Sequence, residues 1–278
     1  MNLYNIQETA LKAQGYKIYE GEQALHQICF NVEMKKIYYD DGGFYMNTDY
    51  KGLIREDTGE VLYVGKEYSP IRNREIVEAM TPLFNDGFML KDVRVYQDRK
   101  FQINLWNPDE TLEINGQQAY LRATFGNSYD GSQSFVAALG AYIQVCSNGL
   151  TVGKGFALRK KHTGLSDLSS FMLESVHNRH KVIEKITSKD WDNHDQVKIM
   201  KLFDRITKGL PDGKDNKPNS VKVLLNQKFR EEMQLYDNLE FALFMATTNL
   251  ATHGHLLGVS PSYQMELETQ ASNVFFNN

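Results

Sequence analysis

VRVYQDRKFQINLW, residues 93–106, decides the fold class of this chain. Val93 and Val95 stand on one arm and Phe101, Ile103 and Leu105 on the other, alternating with polar residues around a turn at 97–100. Period-two alternation on both sides of a turn is the signature of a β-hairpin. Asn107-Pro108 closes the second arm, and the weakly alternating Tyr120–Phe125 is expected to pair with it. The same arrangement occurs twice upstream. Lys35-Lys36-Ile37-Tyr38-Tyr39 and Phe44-Tyr45-Met46 flank Asp40-Asp41-Gly42-Gly43, and Leu53-Ile54-Arg55 and Val61-Leu62-Tyr63-Val64 flank Asp57-Thr58-Gly59. Asp/Gly clusters between apolar runs suit the tight turns of hairpins. At 73–85, Ile76, Val77, Met80, Leu83 and Phe84 keep helical spacing, with Asn73 as a suitable N-cap.

Ser132–Val145 fits two readings. Phe135, Val136, Leu139, Tyr142 and Ile143 have helical spacing, whereas the β-rich end and the following Asn148-Gly149 turn favour a strand; near the turn the strand is preferred. Beyond about residue 160 the chain reads as helices. Leu168, Phe171, Met172, Val176, Val182, Ile183 and Ile186 form one apolar stripe behind Ser166-Asp167. Val197, Met200, Phe203, Ile206 and Leu210 form a second, stopped by Pro211-Asp212-Gly213, and a third stretch runs from about Val221 to Ala251 before Gly254. The expected architecture is α+β, a mostly antiparallel sheet in the N-terminal two-thirds and a helical layer after it, in one domain. Within it we distinguish an N-terminal extension (1–27), a β-rich part (28–160), a helical part (161–255) and an acidic C-terminal tail (256–278).

The 278 residues are 41% hydrophobic and 24% charged, globular values that exclude wholesale disorder. Two cysteines, Cys29 and Cys146, are too few for a disulfide framework or a cysteine-based zinc site, as expected in a reducing cytoplasm. No stretch reads as a signal peptide or a membrane span, so no membrane partner is expected. The net charge of -4 hides a partition: residues 154–230 hold 17 basic and 9 acidic side chains, and residues 231–278 hold 6 acidic and no basic ones.

The sequence names no catalytic residue. Cys146 has no base tied to it and reads as a small buried hydrophobe. The pairs His177/His180 and His253/His255 lack the third ligand of a catalytic zinc site, and GLTVGKG (149–155) lacks phosphate-loop spacing. No metal or cofactor is therefore expected. Two features remain. The first is the polar stretch 126–134, above all Asn127, Ser128, Asp130, Gly131 and Ser132, followed by Cys146, Asn148 and Gly149. These residue types are what tight turns need and also what a loop contacting a phosphate needs, so both readings stay open. The second is a basic band: Lys154, Arg159, Lys160 and Lys161, then Arg179, Lys181, Lys185 and Lys189, then Lys198, Lys201, Arg205 and Lys208. It reads as a phosphate-tracking surface for single-stranded DNA or another nucleic acid, or as a solvated helix face balanced by the acidic C-terminal segment. Tyr38, Tyr39, Phe44 and Tyr45 can stack on bases, although on a hairpin such residues commonly face a core.

Residues 121–156, LRATFGNSYDGSQSFVAALGAYIQVCSNGLTVGKGF, resemble the central motif of a phage- and plasmid-borne family, domain of unknown function 932. Its NSxDGS loop and CSNGL element correspond here to Asn127–Ser132 and Cys146–Leu150. IREDTGEVLYVGKEYSPIRNREI (54–76) is similar to an upstream stretch of the phage/plasmid-like members, with Arg72 where Gln is expected, and LEFALFMATTNLATHG (239–254) resembles their C-terminal helix. The resemblance implies a mobile-element protein and no particular reaction. Taken with the basic band, it leads to the expectation of a non-enzymatic accessory protein binding nucleic acid in replication or recombination. Two alternatives are a module that inhibits a host defence or host enzyme, and a nucleotide-binding enzyme using Asp130 as a base. Strand edges make a homo-oligomer a further expectation.

Overall fold

A computed structural model describes residues 15–143, 148–151, 157–160, 168–177, 179–191, 195–208, 210, 220–257, 259 and 261–276. Two antiparallel sheets carry the β-rich part. In the larger, seven-stranded among the described residues, β1 (Tyr16–Tyr19), β5 (Met89–Tyr96), β6 (Lys100–Ile114), β7 (Gln117–Ser128) and β8 (Phe135–Ile143) follow in order. β9 (Asn148–Thr151) and β10 (Ala157–Lys160) then share the outer edge of β8. Part of the expected N-terminal extension is thus sheet: β1 pairs with β5. The hairpin at 93–106 sets Val93 against Ile103 and Val95 against Phe101. Facing residues share a side of the pleat, and all four are buried.

β6 does not stop at Pro108. Its register slips between Asn107 and Thr111, so 108–110 bulge out and the strand continues to Ile114. A bulge tolerates a residue with no N–H to donate. The Asn107 side chain holds it, accepting from Asp109 N at 3.0 Å and donating to Asp86 O at 3.2 Å. Asn115-Gly116, at φ 49° and 74°, then turns the chain into β7. The ambiguous 132–145 stretch is a strand where it is described: β8 lies between β7 and β9, with Phe135, Ala137, Leu139, Ala141 and Ile143 buried.

The smaller sheet runs β2 (Val32–Asp41), β3 (Phe44–Arg55), β4 (Val61–Gly65). Its root is packed, with Val32, Leu53 and Leu62 buried, and its tip is not: Tyr38, Tyr39 and Phe44 are 51–75% exposed. The tip is a bent ribbon, because three residues of β3 oppose one of β2 between the Lys36–Lys51 and Tyr38–Asn47 pairs, and Thr48 Oγ1 donates to Ile37 O at 2.7 Å across that bulge.

Helices α1 (Asn73–Ala79) and α2 (Thr81–Asn85) occupy the predicted 73–85 stretch, with Arg72 rather than Asn73 at the N-cap. The first long stripe is divided into α3 (Leu168–His177) and α4 (Arg179–Thr187). In α5 (Gln196–Thr207) the buried column is Ile199, Phe203 and Ile206, which leaves Val197 and Met200 64% and 55% exposed. Two apolar columns compete on that helix, and the one with the phenylalanine and two isoleucines buries more surface. α6 (Val221–Glu232) precedes α7 (Leu239–His253), which is buried from Glu240 to Thr248 and lies against α6, β9 and α8 (Pro261–Phe276). The C-terminal segment is therefore not a tail. Leu267, Ala271, Val274, Phe275 and Phe276 of α8 enter a buried cluster shared by both sheets and the helical layer. The architecture is α+β, with the sheets mostly N-terminal and the helices C-terminal.

Candidate functional site

The motif loop leaves β7 and closes on itself. Ser128 Oγ donates to Gln133 O (2.9 Å) and accepts from Gln133 N (3.1 Å). Asp130 Oδ1 accepts from Ser132 N (2.9 Å) and Ser132 Oγ (2.5 Å), an Asx turn with Gly131 at φ 70°. Lys100 Nζ lies 3.8 Å from Asp130 Oδ2. Asn127 turns inward, where its amide donates to Ile71 O (2.9 Å) and Asn73 Oδ1 (2.7 Å). The Tyr129 hydroxyl accepts from Asn73 N (2.8 Å), and the Tyr68 hydroxyl donates to Ser128 O (2.9 Å). Asp130 is thus taken up in a turn and an ion pair, and Asn127 and Tyr129 secure the start of α1.

The 127–133 loop and the 68–73 segment form one hydrogen-bonded unit. Between that segment and Val32 and Met34 of β2 lies an open cleft of about 370 Å³, with Tyr68, Ile71, Arg72 and Glu75 among its walls. Arg72 NH1 pairs with Glu75 Oε1 at 3.2 Å. Burial pushes the Tyr68 and Tyr129 phenols well above their ordinary range, which keeps them neutral hydrogen-bonding groups. It also pushes up the Cys29 thiol, against the pull of Arg74. All three shifts favour the protonated form, the opposite of the lowered value that activates a nucleophile.

The structure divides the basic band. Lys154 and Lys161, like Cys146 of the motif, lie outside the described residues. Arg159 and Lys160 sit on β10 opposite Val136 and Phe135, and Asn148 and Gly149 on β9 opposite Ile143 and Tyr142. Arg179 is engaged by two carboxylates, Asp86 Oδ2 at 2.5 Å and Glu110 Oε1 at 3.0 Å. Lys189 Nζ reaches Glu240 at 2.8 Å, Lys185 is half-buried, and Lys181 is exposed. Lys198 and Lys201 on α5 and Lys208 at its C-cap are exposed and make no ion pair among the described residues. With Arg205 they recur at i, i+3, i+7 and i+10, a row about 15 Å long on one side of the helix.

Three of the C-terminal acids pair away from this row. Glu268 meets Arg122 at 3.0 Å, Glu240 meets Lys189, and Glu231 meets Lys228 at 2.6 Å. Glu232 is buried, and desolvation pushes its carboxyl up despite Lys228.

One polar cluster went unseen in the sequence. Asp92, Asn104 and Thr124 lie side by side on β5, β6 and β7, and Asn104 links them, donating to Asp92 Oδ1 (2.5 Å) and accepting from Thr124 Oγ1 (3.1 Å). Arg94 bridges Asp92 to Thr252 O at the end of α7, and Arg122 bridges Asn104 to Glu268 on α8. Burial pushes the Asp92 carboxyl up, but Arg94, Asn104 and Arg122 together outweigh it and hold the group below its ordinary range. In the sequence these are polar positions between the apolar ones of three strands. Among the described residues no cluster of His, Cys, Asp or Glu is arranged to hold a metal ion, and no helix is long and apolar enough to cross a membrane.

Two antiparallel sheets and a helical layer, with a polar loop bonded to the 68–73 segment, define an α+β fold. The chain belongs to the family described as domain of unknown function (DUF932), whose family model matches residues 61–271. That match takes in the 68–73 segment, the motif loop and most of α8. No curated protein and no solved structure matches the chain.

Proposed function

We propose that this protein is an accessory protein of a phage or other mobile element that binds nucleic acid, in particular single-stranded DNA during replication or recombination. The observation that carries this reading is the row Lys198, Lys201, Arg205 and Lys208 along α5, with three lysines free of carboxylate partners among the described residues. A row of fixed cations contributes sequence-tolerant affinity by releasing counterions from phosphates. Lys181 on α4 adds a further exposed cation. The acids of the C-terminal segment support the same reading, because those paired inside the fold are not available to compete for the row. They give correspondingly little support to inhibition of a host enzyme by acidic mimicry.

The test is fluorescence anisotropy of a labelled single-stranded oligonucleotide. Affinity is expected to fall with salt by a log–log slope of about 0.7 per phosphate contact. The Lys198→Glu/Lys208→Glu variant should bind at least about tenfold more weakly, having lost two contacts and gained two like charges. Absence of binding at low salt, or unchanged binding by the variant, would overturn the proposal.

A second reading rests on the cleft. Its volume of about 370 Å³ is of the size of small-molecule sites, and two of the three stretches that carry the family resemblance meet beside it. A nucleotide panel in a thermal-shift assay tests it: a ligand seated there raises the melting temperature in a dose-dependent way, and no shift rejects the reading.

A further inference from the structure

Among the described residues strand β2 is an edge, pairing only with β3. Over 35–41 it reads Lys35-Lys36-Ile37-Tyr38-Tyr39-Asp40-Asp41, and all but Ile37 are exposed. Proteins normally blunt an edge of this length when it carries aromatic side chains. Two electrostatic features of the strand are unsatisfied. Lys36 faces Lys51 directly across the ladder, and neither makes an ion pair among the described residues; like charges in that position repel. Asp40 accepts only the turn bond from Gly43 N, and Asp41 has no basic partner among the described residues.

We propose that β2 pairs antiparallel with β2 of a second copy of this chain, across a two-fold axis at Tyr38. A two-fold axis normal to a continuous sheet must set one residue opposite its own copy, because facing residues share a side of the sheet and neighbours along a strand do not. Centred on Tyr38, Lys36 faces the second copy's Asp40, Lys35 faces its Asp41 and Ile37 faces its Tyr39. The lysine repelled by Lys51 gains a counter-ion, and the two Tyr38 rings meet at the axis. Other centres fail: one on Ile37 sets Glu33 against Asp41, and one on Tyr39 sets both lysines against Gly42 and Gly43. Seven consecutive residues are therefore self-complementary in a single register. The union joins the two small sheets edge to edge, independently of the row on α5.

The test is the mass of the full chain in solution by sedimentation equilibrium, at low and high salt. The wild type is expected to dimerise, more weakly as salt rises. Lys36→Asp, which sets Asp against Asp in both halves, should raise the dimer dissociation constant at least tenfold. Lys36→Asp/Asp40→Lys should restore it. Because Asp40 also holds the turn, Lys35→Asp and Lys35→Asp/Asp41→Lys repeat the comparison without touching that bond, and circular dichroism reports whether each variant is folded. A wild type that stays monomeric throughout, a dimer indifferent to the single swaps, or failure of both double swaps to restore association would overturn the proposal.

Discussion

Arg122 NH1 donates to Glu268 Oε1 at 3.0 Å and so joins strand β7 to the last helix across 146 positions of sequence. The guanidinium is buried in the sheet, where its other nitrogen donates to Asn104 Oδ1 at 2.8 Å. A carboxylate from the stretch that has no basic residue of its own is thus committed to neutralising a buried cation. Removing it leaves that cation uncompensated. Glu268→Ala is expected to cost about 3 kcal/mol, the low end for a broken buried pair, and Glu268→Gln less, because a hydrogen bond survives. Urea denaturation checks both; a loss below about 0.5 kcal/mol, the size of an exposed pair, would show that the contact is idle.

Asn127 is expected to be a fastener. Its amide donates to two acceptors, Ile71 O and Asn73 Oδ1, in a buried setting. Asn127→Ala should lose about 2 kcal/mol by leaving them unmatched. Asn127→Asp should lose more, since it sets a carboxylate against two oxygens. Equal stability of the two variants in chemical denaturation would argue against these bonds.

Gly131 combines two constraints. It sits at φ 70°, and a Cβ there would lie 2.6 Å from Tyr63 Cε2. Gly131→Ala is expected to lose about 1–2 kcal/mol from the backbone alone, and more from the ring. Adding Tyr63→Leu should recover the second loss and not the first. A double variant as unstable as the single one would show that the ring moves aside freely.

Stability should fall in acid through Asp92. An unfolded aspartate titrates near pH 3.9, whereas folded Asp92 stays charged to lower pH, so the unfolded chain binds the extra proton. The contribution is full above the ordinary aspartate range and is lost as pH drops towards the depressed folded value. Glu232 has the opposite sign: its raised folded value favours the folded state at low pH, and that contribution disappears as pH rises through it. Urea unfolding across the acid range should therefore show a flatter acid limb for Asp92→Asn, although that variant is less stable overall. A limb as steep as the wild type's would assign the acid sensitivity elsewhere.

Much of the fold was legible because local rules agree with it. The 93–106 hairpin is a period-two pattern about a turn, and Ile76, Met80 and Leu83 keep a helical spacing that burial preserves. Pro108 misled, because a missing N–H ends a strand only where no bulge can absorb it. Val197 and Met200 misled, because two apolar columns share one helix and periodicity does not say which finds a core. The motif loop was legible as a stretch rich in turn residues, and its Asp130–Ser132 and Ser128–Gln133 bonds are local; its bonds to Ile71 and Asn73 were not legible, because those partners lie far away in the chain.

The sequence by itself determined the α+β class, the hairpins, and the partition between a basic stretch and an acid-only one. These are read from neighbours a few residues apart, whose spacing fixes which side of a strand or helix they share. Only the tertiary structure decided what the charges do. Asp92, Arg94, Asn104 and Arg122 are polar strand positions, and the helical layer reaches them through Thr252 and Glu268, so that they form a buried network. The acid-only stretch was read as balancing the basic band; Glu240 does pair with Lys189 of that band, whereas Glu268 pairs with the buried Arg122 far away in the chain. Whether a charge faces solvent or a partner depends on groups that sequence distance conceals, and burial makes that partner decisive because an unpaired charge out of water is so costly.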